Sequence, residues 1–267
     1  MRVRPPRLRT LLASALAAAT MLLLAAHPAV ADEERERPWP EEWPIELPPV
    51  EGPLPPPPPA RPMASPATRA GERVLRELAE IERTLVRTRY QHRIAVNRRR
   101  GTYYWDCSLM VHWVLRRAAP RSVRHLRDVD RALAAHFVRA IERAPEDGYR
   151  RGWQRIGHIR DVRPGDVFAW RRPEGFPSRN TGHVGFVLRQ PQPVPGLPNG
   201  WVVRVADATR SFHQNDARAA GAGDGGFGVG TLAFLTDGEG RGTHYGWHGT
   251  YSQGYVVTPI LFGRVGP

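Results

Sequence analysis

Between Thr68 and Val86 the apolar residues Val74, Leu75, Leu78, Ile81, Leu85 and Val86 recur three or four apart, with Glu72, Arg76, Glu77, Glu80 and Arg83 between them. That spacing predicts an amphipathic helix whose stripe packs on a domain, in a repeat too short to sustain a coiled coil. The basic stretch Asn97–Gly101 ends this segment as a loop. Met110, Val111, Val114 and Leu115 then repeat the same period. They predict a second helix, with Asp106 as its N-cap after the aromatic run Tyr103-Tyr104-Trp105. A third helix is expected over about 128–144, with Val129, Leu133, Phe137, Val138 and Ile141 as its face. Gly148, Gly152 and Trp153 read as loop, and beyond them the period falls to two. Val162-Arg163-Pro164-Gly165-Asp166 is a turn. Residues 167–170, 183–188, 201–207, 231–236, 243–249 and 255–264 read as strands, the last one broken at Pro259. Asp237-Gly238-Glu239-Gly240 marks a hairpin between two of them. Helices first and antiparallel strands after them make an α+β layout, with the helices against a small antiparallel sheet.

The first 66 residues follow another logic. Arg2, Arg4, Arg7 and Arg9 precede an apolar, Ala- and Leu-rich run from Leu11 to Ala26, and Ala29-Val30-Ala31 is a small-x-small cleavage site. Residues 1–31 therefore read as a secretory signal peptide, which places the mature protein outside the cytoplasm in a periplasmic, extracellular or wall-associated setting. A retained membrane anchor is the competing reading. No other stretch is apolar enough to span a bilayer. Residues 32–66 are dominated by proline, including the run Pro55–Pro59, and form an extended linker that builds no core. The expected organisation is signal peptide 1–31, linker 32–66, N-terminal helix 67–100 and a domain over 101–267.

Charge narrows the class. The chain carries 39 Lys+Arg, every one an arginine, against 26 Asp+Glu, for a net charge of +13. Such a balance favours polyanionic partners. Outside the cell these are anionic envelope polymers rather than nucleic acid. A single cysteine excludes an internal disulfide framework and any multi-cysteine zinc site.

That cysteine, Cys107, falls in the first turn of the second helix, where unpaired N–H groups and the helix dipole favour a thiolate and lower its pKa. A thiol so placed is either a nucleophile or a small buried residue. A base is available 76 residues on, in Thr181-Gly182-His183-Val184-Gly185-Phe186-Val187. Glycines flanking His183 fit a close approach of backbone or substrate. Val203, Val205 and Asp207 share a strand face, so Asp207 can accept from the far ring nitrogen of His183, with His213 as the alternative third residue. His112 lies on the second helix but points away from Cys107. His244 and His248 share a face without a third ligand in view, and no metal or cofactor is expected.

Asp106-Cys107-Ser108 at a helix start, Arg163-Pro164-Gly165-Asp166-Val167 before a strand and the Gly-His-Val-Gly strand resemble, in that order, the NlpC-type papain-like cysteine peptidases of bacterial cell walls. The resemblance covers roughly residues 100–210. It implies a papain-like fold and hydrolysis of peptide bonds in peptidoglycan stems, for which Cys107 would be nucleophile, His183 base and Asp207 orienter; a monomer is expected. It further implies an oxyanion donor in Tyr104 or Tyr103, beside the Cys107 N–H, and substrate reading by Asp106 and Ser108. Leu109 departs from the family, which has glycine there. Two other readings stay open: an amidase or acyltransferase using the same thiol, and a non-catalytic wall-binding module in which the thiol is inert.

Overall fold

The computed structural model describes residues 64–126, 129–176, 180–218, 224–246 and 255–266. The expected signal peptide and most of the proline-rich linker lie outside them. Helix α1 spans Arg69–Thr84, capped by Thr68, whose side chain accepts from the Gly71 N–H. It stops two residues before Val86, the last of the apolar stripe, and well short of the expected helical segment 67–100. The N–H groups of Val86 and Arg87 turn to the Gly101 carbonyl, and Val86 is left 74% exposed. Three short strands follow: β1 (Arg87–Tyr90), β2 (Ala95–Asn97) and β3 (Thr102–Trp105). β1 runs parallel and β2 antiparallel to β3, and β3 leads into helix α2 (Cys107–Ala118). Helix α3 spans only Ala134–Glu142, shorter than the expected 128–144. Leu133 keeps extended backbone there, and its N–H is met by His136 Nδ1 at 3.2 Å.

The rest is β structure: β4 (Trp153–Ile156), β5 (Val167–Arg171), β6 (Gly182–Val187), β7 (Gln192–Pro193), β8 (Gly200–Thr209), β9 (Gly226–Thr236), β10 (Gly242–Gly246) and β11 (Val256–Val265). Strands β5, β6, β8, β9, β10 and β11 pair antiparallel in that order, and β11 returns to β5, so the sheet closes into a six-stranded barrel. The expected papain-like α+β fold, with helices laid on a small antiparallel sheet, is therefore wrong. The protein is mostly β, and its helices are the minor part. The reason lies in β11. One edge pairs with β5, while the other takes β10 along its first half and β4 along its second. Closure gives each of these six strands a neighbour on both sides. The strand runs through Pro259 unbroken, because the register with β10 shifts between Gly242 and His244, opposite that proline. Trp153, expected in a loop, opens β4. Its indole Nε1–H donates to the Ser122 carbonyl at 2.7 Å.

Alternation sorts the strand residues into two cores. Phe168, Trp170, Val187, Val203, Val205, Leu232, Phe234, Ile260 and Phe262 fill one. Val167, Ala169, Val184, Phe186, Ala206, Ala208 and Phe227 lie on the other face, under Val74, Leu78 and Ile81 of α1, Met110, Val111 and Val114 of α2, and Phe137 and Ile141 of α3. Among the described residues no helix is long and apolar enough to cross a membrane.

The Pro-Gly-Asp turn fastens the barrel. Asp166 is 2% exposed. It accepts the Arg163 N–H at 2.8 Å and the Nε and Nη2 of Arg264, on β11, at 3.1 and 2.9 Å. Arg264→Met would leave a buried carboxylate without its counter-charge. We expect a loss of about 3 kcal/mol, read as a lower urea midpoint at unchanged slope. An unchanged midpoint would mean that Asp166 is neutral in the folded protein.

Candidate active site

The helix that carries Cys107 is pinned at its first turn. Asp106 has extended backbone and its Oδ1 accepts the Leu109 N–H at 2.8 Å, as an N-cap should. The Ser108 hydroxyl lies 2.8 Å from both Asp106 Oδ1 and the Ala132 carbonyl. On the other carboxylate oxygen, His92 Nδ1 sits at 3.0 Å and an Arg131 guanidinium nitrogen at 3.8 Å. Asp106 and Ser108 are each 3% exposed, so both anchor the helix start internally. Tyr103 is fully buried with its hydroxyl 2.6 Å from Thr84 Oγ1, while Tyr104 is half-buried on the opposite face of β3. Leu109 belongs to the helical core beside Cys107.

Cys107 is 6% exposed. The backbone N–H groups of Val184 and Ser108 lie close enough to favour its thiolate. The thiol therefore abuts β6 at the residue after His183. The expectation that the helix N-terminus would lower its pKa fails here. Burial first, and the Asp106 charge next, push the thiol well above its ordinary value, and the two N–H groups only partly oppose them.

The three polar residues singled out downstream do meet. His183 Nε2 and His213 Nε2 each lie 2.7 Å from the same oxygen of Asp207, Oδ2. Asp207 is fully buried. Burial alone would raise its carboxyl, but the charges and hydrogen bonds of the two imidazoles, His213 ahead of His183, hold it well below the usual carboxylate range. Its other oxygen, Oδ1, is buried and has no hydrogen-bond partner among the described residues. With Nε2–H given to the carboxylate, Nδ1 is the nitrogen of a neutral His183 that can take a proton. The ring is also held by its neighbours: Trp170, directly opposite in register, lies 4.9 Å away centroid to centroid and Phe168 5.9 Å.

The glycines around His183 serve its own sheet. Gly182 has φ 136°, and a Cβ there would meet the Trp170 carbonyl at 1.9 Å; at Gly185 it would meet the Phe168 ring at 2.6 Å. Sequence reasoning ranked His213 behind Asp207, whereas the structure sets His213 and His183 on the one Asp207 carboxylate. It missed the clamp that folds the segment after β8 back over the site. There the Arg218 guanidinium bonds Asp216 and the carbonyls of Thr209 and Ser211, and Asp216 Oδ2 accepts the His213 N–H at 2.8 Å. Only the short spacing of Asp216 and Arg218 hinted at it. His112 is half-buried, with its imidazole pushed down by burial and by Arg116. His244 Nδ1 lies 2.8 Å from Thr243 Oγ1, and His248 lies outside the described residues. Among the described residues no group of three or more His, Cys, Asp or Glu could hold a metal ion.

Comparison with known proteins adds little to this geometry. No family model matches the chain, and no solved structure matches it. An uncharacterized protein of Acanthamoeba polyphaga mimivirus is 26% identical over 221 residues, covering 70% of this chain and 92% of that protein.

The carboxylate between the histidines makes a pH prediction. A group whose folded pKa is depressed adds stability above its unfolded value, about 3.9 for aspartate, and loses it as the pH falls toward the folded value. Asp207→Asn should thus be less stable than the parent at neutral pH, with the gap narrowing below about pH 4. Urea midpoints from pH 7 down to 3 check this; a gap independent of pH would assign the loss to packing.

Proposed function

We propose that the protein is a secreted cysteine hydrolase that cleaves peptide bonds in peptidoglycan stem peptides. The observation that carries the chemistry is the His183–Asp207 hydrogen bond at 2.7 Å, made by the strand residue just before Val184, whose backbone N–H favours the Cys107 thiolate. Proton transfer from Sγ to His183 Nδ1 yields a thiolate–imidazolium pair, with the imidazolium stabilised by Asp207. The thiolate adds to the carbonyl of the substrate, and the oxyanion is held by the Cys107 N–H at the helix start. The imidazolium then protonates the leaving amine. Water cleaves the thioester and regenerates the thiol. His213 keeps Asp207 ionised from the far side. The wall substrate rests on the resemblance of the Asp-Cys-Ser, Pro-Gly-Asp and Gly-His-Val-Gly segments, on the leader-like first 31 residues and on the net charge of +13. These features belong here to a barrel scaffold, and the reaction needs only the local constellation.

One observation favours a second reading, a wall-binding module with an inert thiol: Cys107 is almost fully buried and its thiol is pushed up by burial. Defined muropeptides incubated with the protein and weighed by mass spectrometry separate the two. Hydrolysis adds one water to the cleaved stem. Cys107→Ala should remove all turnover while leaving the thermal melt in place, and His183→Ala should lower turnover by about a hundred-fold or more. Unchanged turnover in Cys107→Ala would refute the nucleophile. Muropeptide retention without any product, from parent and variant alike, would support the binding module.

A further inference from the structure

A second concave region lies away from this chemistry. Two cavities, of about 440 and 520 Å³, share His125 and Arg151 as common wall, and neither is lined by Cys107, His183 or Asp207. Arg139, Arg143 and Arg150 contribute to the first and Arg121 and Arg124 to the second. Among the described residues no carboxylate lines either one. Elsewhere the structure matches arginines to acids: Arg117 with Glu77, Arg264 with Asp166, Arg218 with Asp216. Two acids near in sequence pair with other arginines, Glu142 with Arg171 and Glu146 with Arg155. None of the six guanidinium groups around the cavities has an ion-pair partner among the described residues.

The imidazoles add to this. His136 Nδ1 accepts the Leu133 N–H, so the proton of its neutral ring sits on Nε2, a donor. Both ring nitrogens of His125 are shielded from solvent and have no hydrogen-bond partner among the described residues. Burial, then the positive charge of Arg151, pushes the His125 imidazole down; burial, then Arg139, does the same to His136. Among the described residues the field is thus strongly positive. Arg151 holds φ 53°, a conformation that residues other than glycine seldom adopt. Beneath the charges, Leu126, Val129, Ala140 and Trp153 give the first cavity an apolar floor.

We infer that this paired cavity binds a small molecule carrying two or more phosphate groups, with the guanidinium groups on the phosphates and the apolar floor under the rest of the ligand. Arginine forks match phosphate oxygens in pairs. The number of uncompensated cations exceeds what one monoanion neutralises. The volumes fall in the range of small-molecule sites. Two chambers meeting at His125 suit two charged groups on one ligand.

Calorimetric titration with sodium tripolyphosphate tests this, with inorganic phosphate and a short single-stranded oligonucleotide as the other arms. The expected result is one saturable tripolyphosphate site, about ten-fold or more tighter than inorganic phosphate. The double variant Arg139→Gln/Arg143→Gln should weaken it by a similar factor, and Arg76→Gln/Arg87→Gln, exposed elsewhere, should leave it unchanged. In the unaltered protein, tripolyphosphate should protect Arg150 and Arg151 from phenylglyoxal, as mapped by mass spectrometry, which keeps the test open if a variant fails to fold. Absence of saturation, equal weakening by both double variants, or an oligonucleotide that binds while tripolyphosphate neither binds nor displaces it would overturn the assignment.

Discussion

The arrangement of the site depends on one buried carboxylate. Asp207 ends the run of inward-facing residues on β8, and both of its histidine partners reach the same oxygen. An isolated carboxylate at that depth would be too costly to keep ionised. Two imidazole donors reverse the balance, and in doing so the carboxylate fixes two segments that sequence separates from it. His183 belongs to the neighbouring strand β6. His213 belongs to the segment that Asp216 and Arg218 fold back over the barrel. Removing the charge would loosen both at once, so local order and proton chemistry share a cause. The choice of Nδ1 as the proton-accepting nitrogen of His183 follows from the same bond.

The barrel makes that bond possible. β8 pairs with β9 along its whole length, from Gly200 opposite Leu235 to Thr209 opposite Gly226, and with β6 only at Phe186 and Val187. Asp207 therefore lies just past the point where the β6–β8 ladder ends, and the side chains there are free to bond each other. The helical layer is fastened to the opposite faces of the same strands through Val184, Phe186, Ala206 and Ala208. That packing brings the start of α2 onto the backbone of β6. A closed barrel holds such a junction rigidly, since none of its strands can slip in register without disturbing both neighbours.

Much of this was legible where the determinants were local. The N-cap of α2 needs only Asp106 and the apolar period after it, and both the helix and its first residue are where that pattern puts them. The pairing of His183 with Asp207 followed from alternation along β8 and one glycine-flanked strand. What escaped depends on partners remote in sequence. The Thr102–Trp105 strand is too short and aromatic to show a period, and Arg87–Tyr90 alternates polar with polar. Barrel closure is written in no single strand: β10 and β11 look like any hairpin tail until each is seen to fill an edge. The thiol was misjudged for a related reason. The helix end is a local feature, whereas the burial that outweighs it depends on packing by elements remote in sequence, with the neighbouring Asp106 charge adding to it.

That last balance shapes the chemistry proposed for Cys107. A helix N-terminus favours a thiolate by about 0.3–1 kcal/mol at exposed positions, while withdrawing an anion from water costs several kcal/mol even after relaxation. Asp106 adds a further penalty, because its own charge is what caps the helix. The resting thiol is then neutral, and under the proposed mechanism the pair with His183 forms as the proton moves rather than beforehand. Under the proposed reading, the energy for that step comes from the bound substrate, whose carbonyl takes over the negative charge as it appears and passes it to donors at the helix start. A thiol governed this way is protected from oxidation and stray alkylation between turnovers. The feature that most favours an inert cysteine, its burial beneath β6, is thus also compatible with a nucleophile that ionises only while a substrate lies against it.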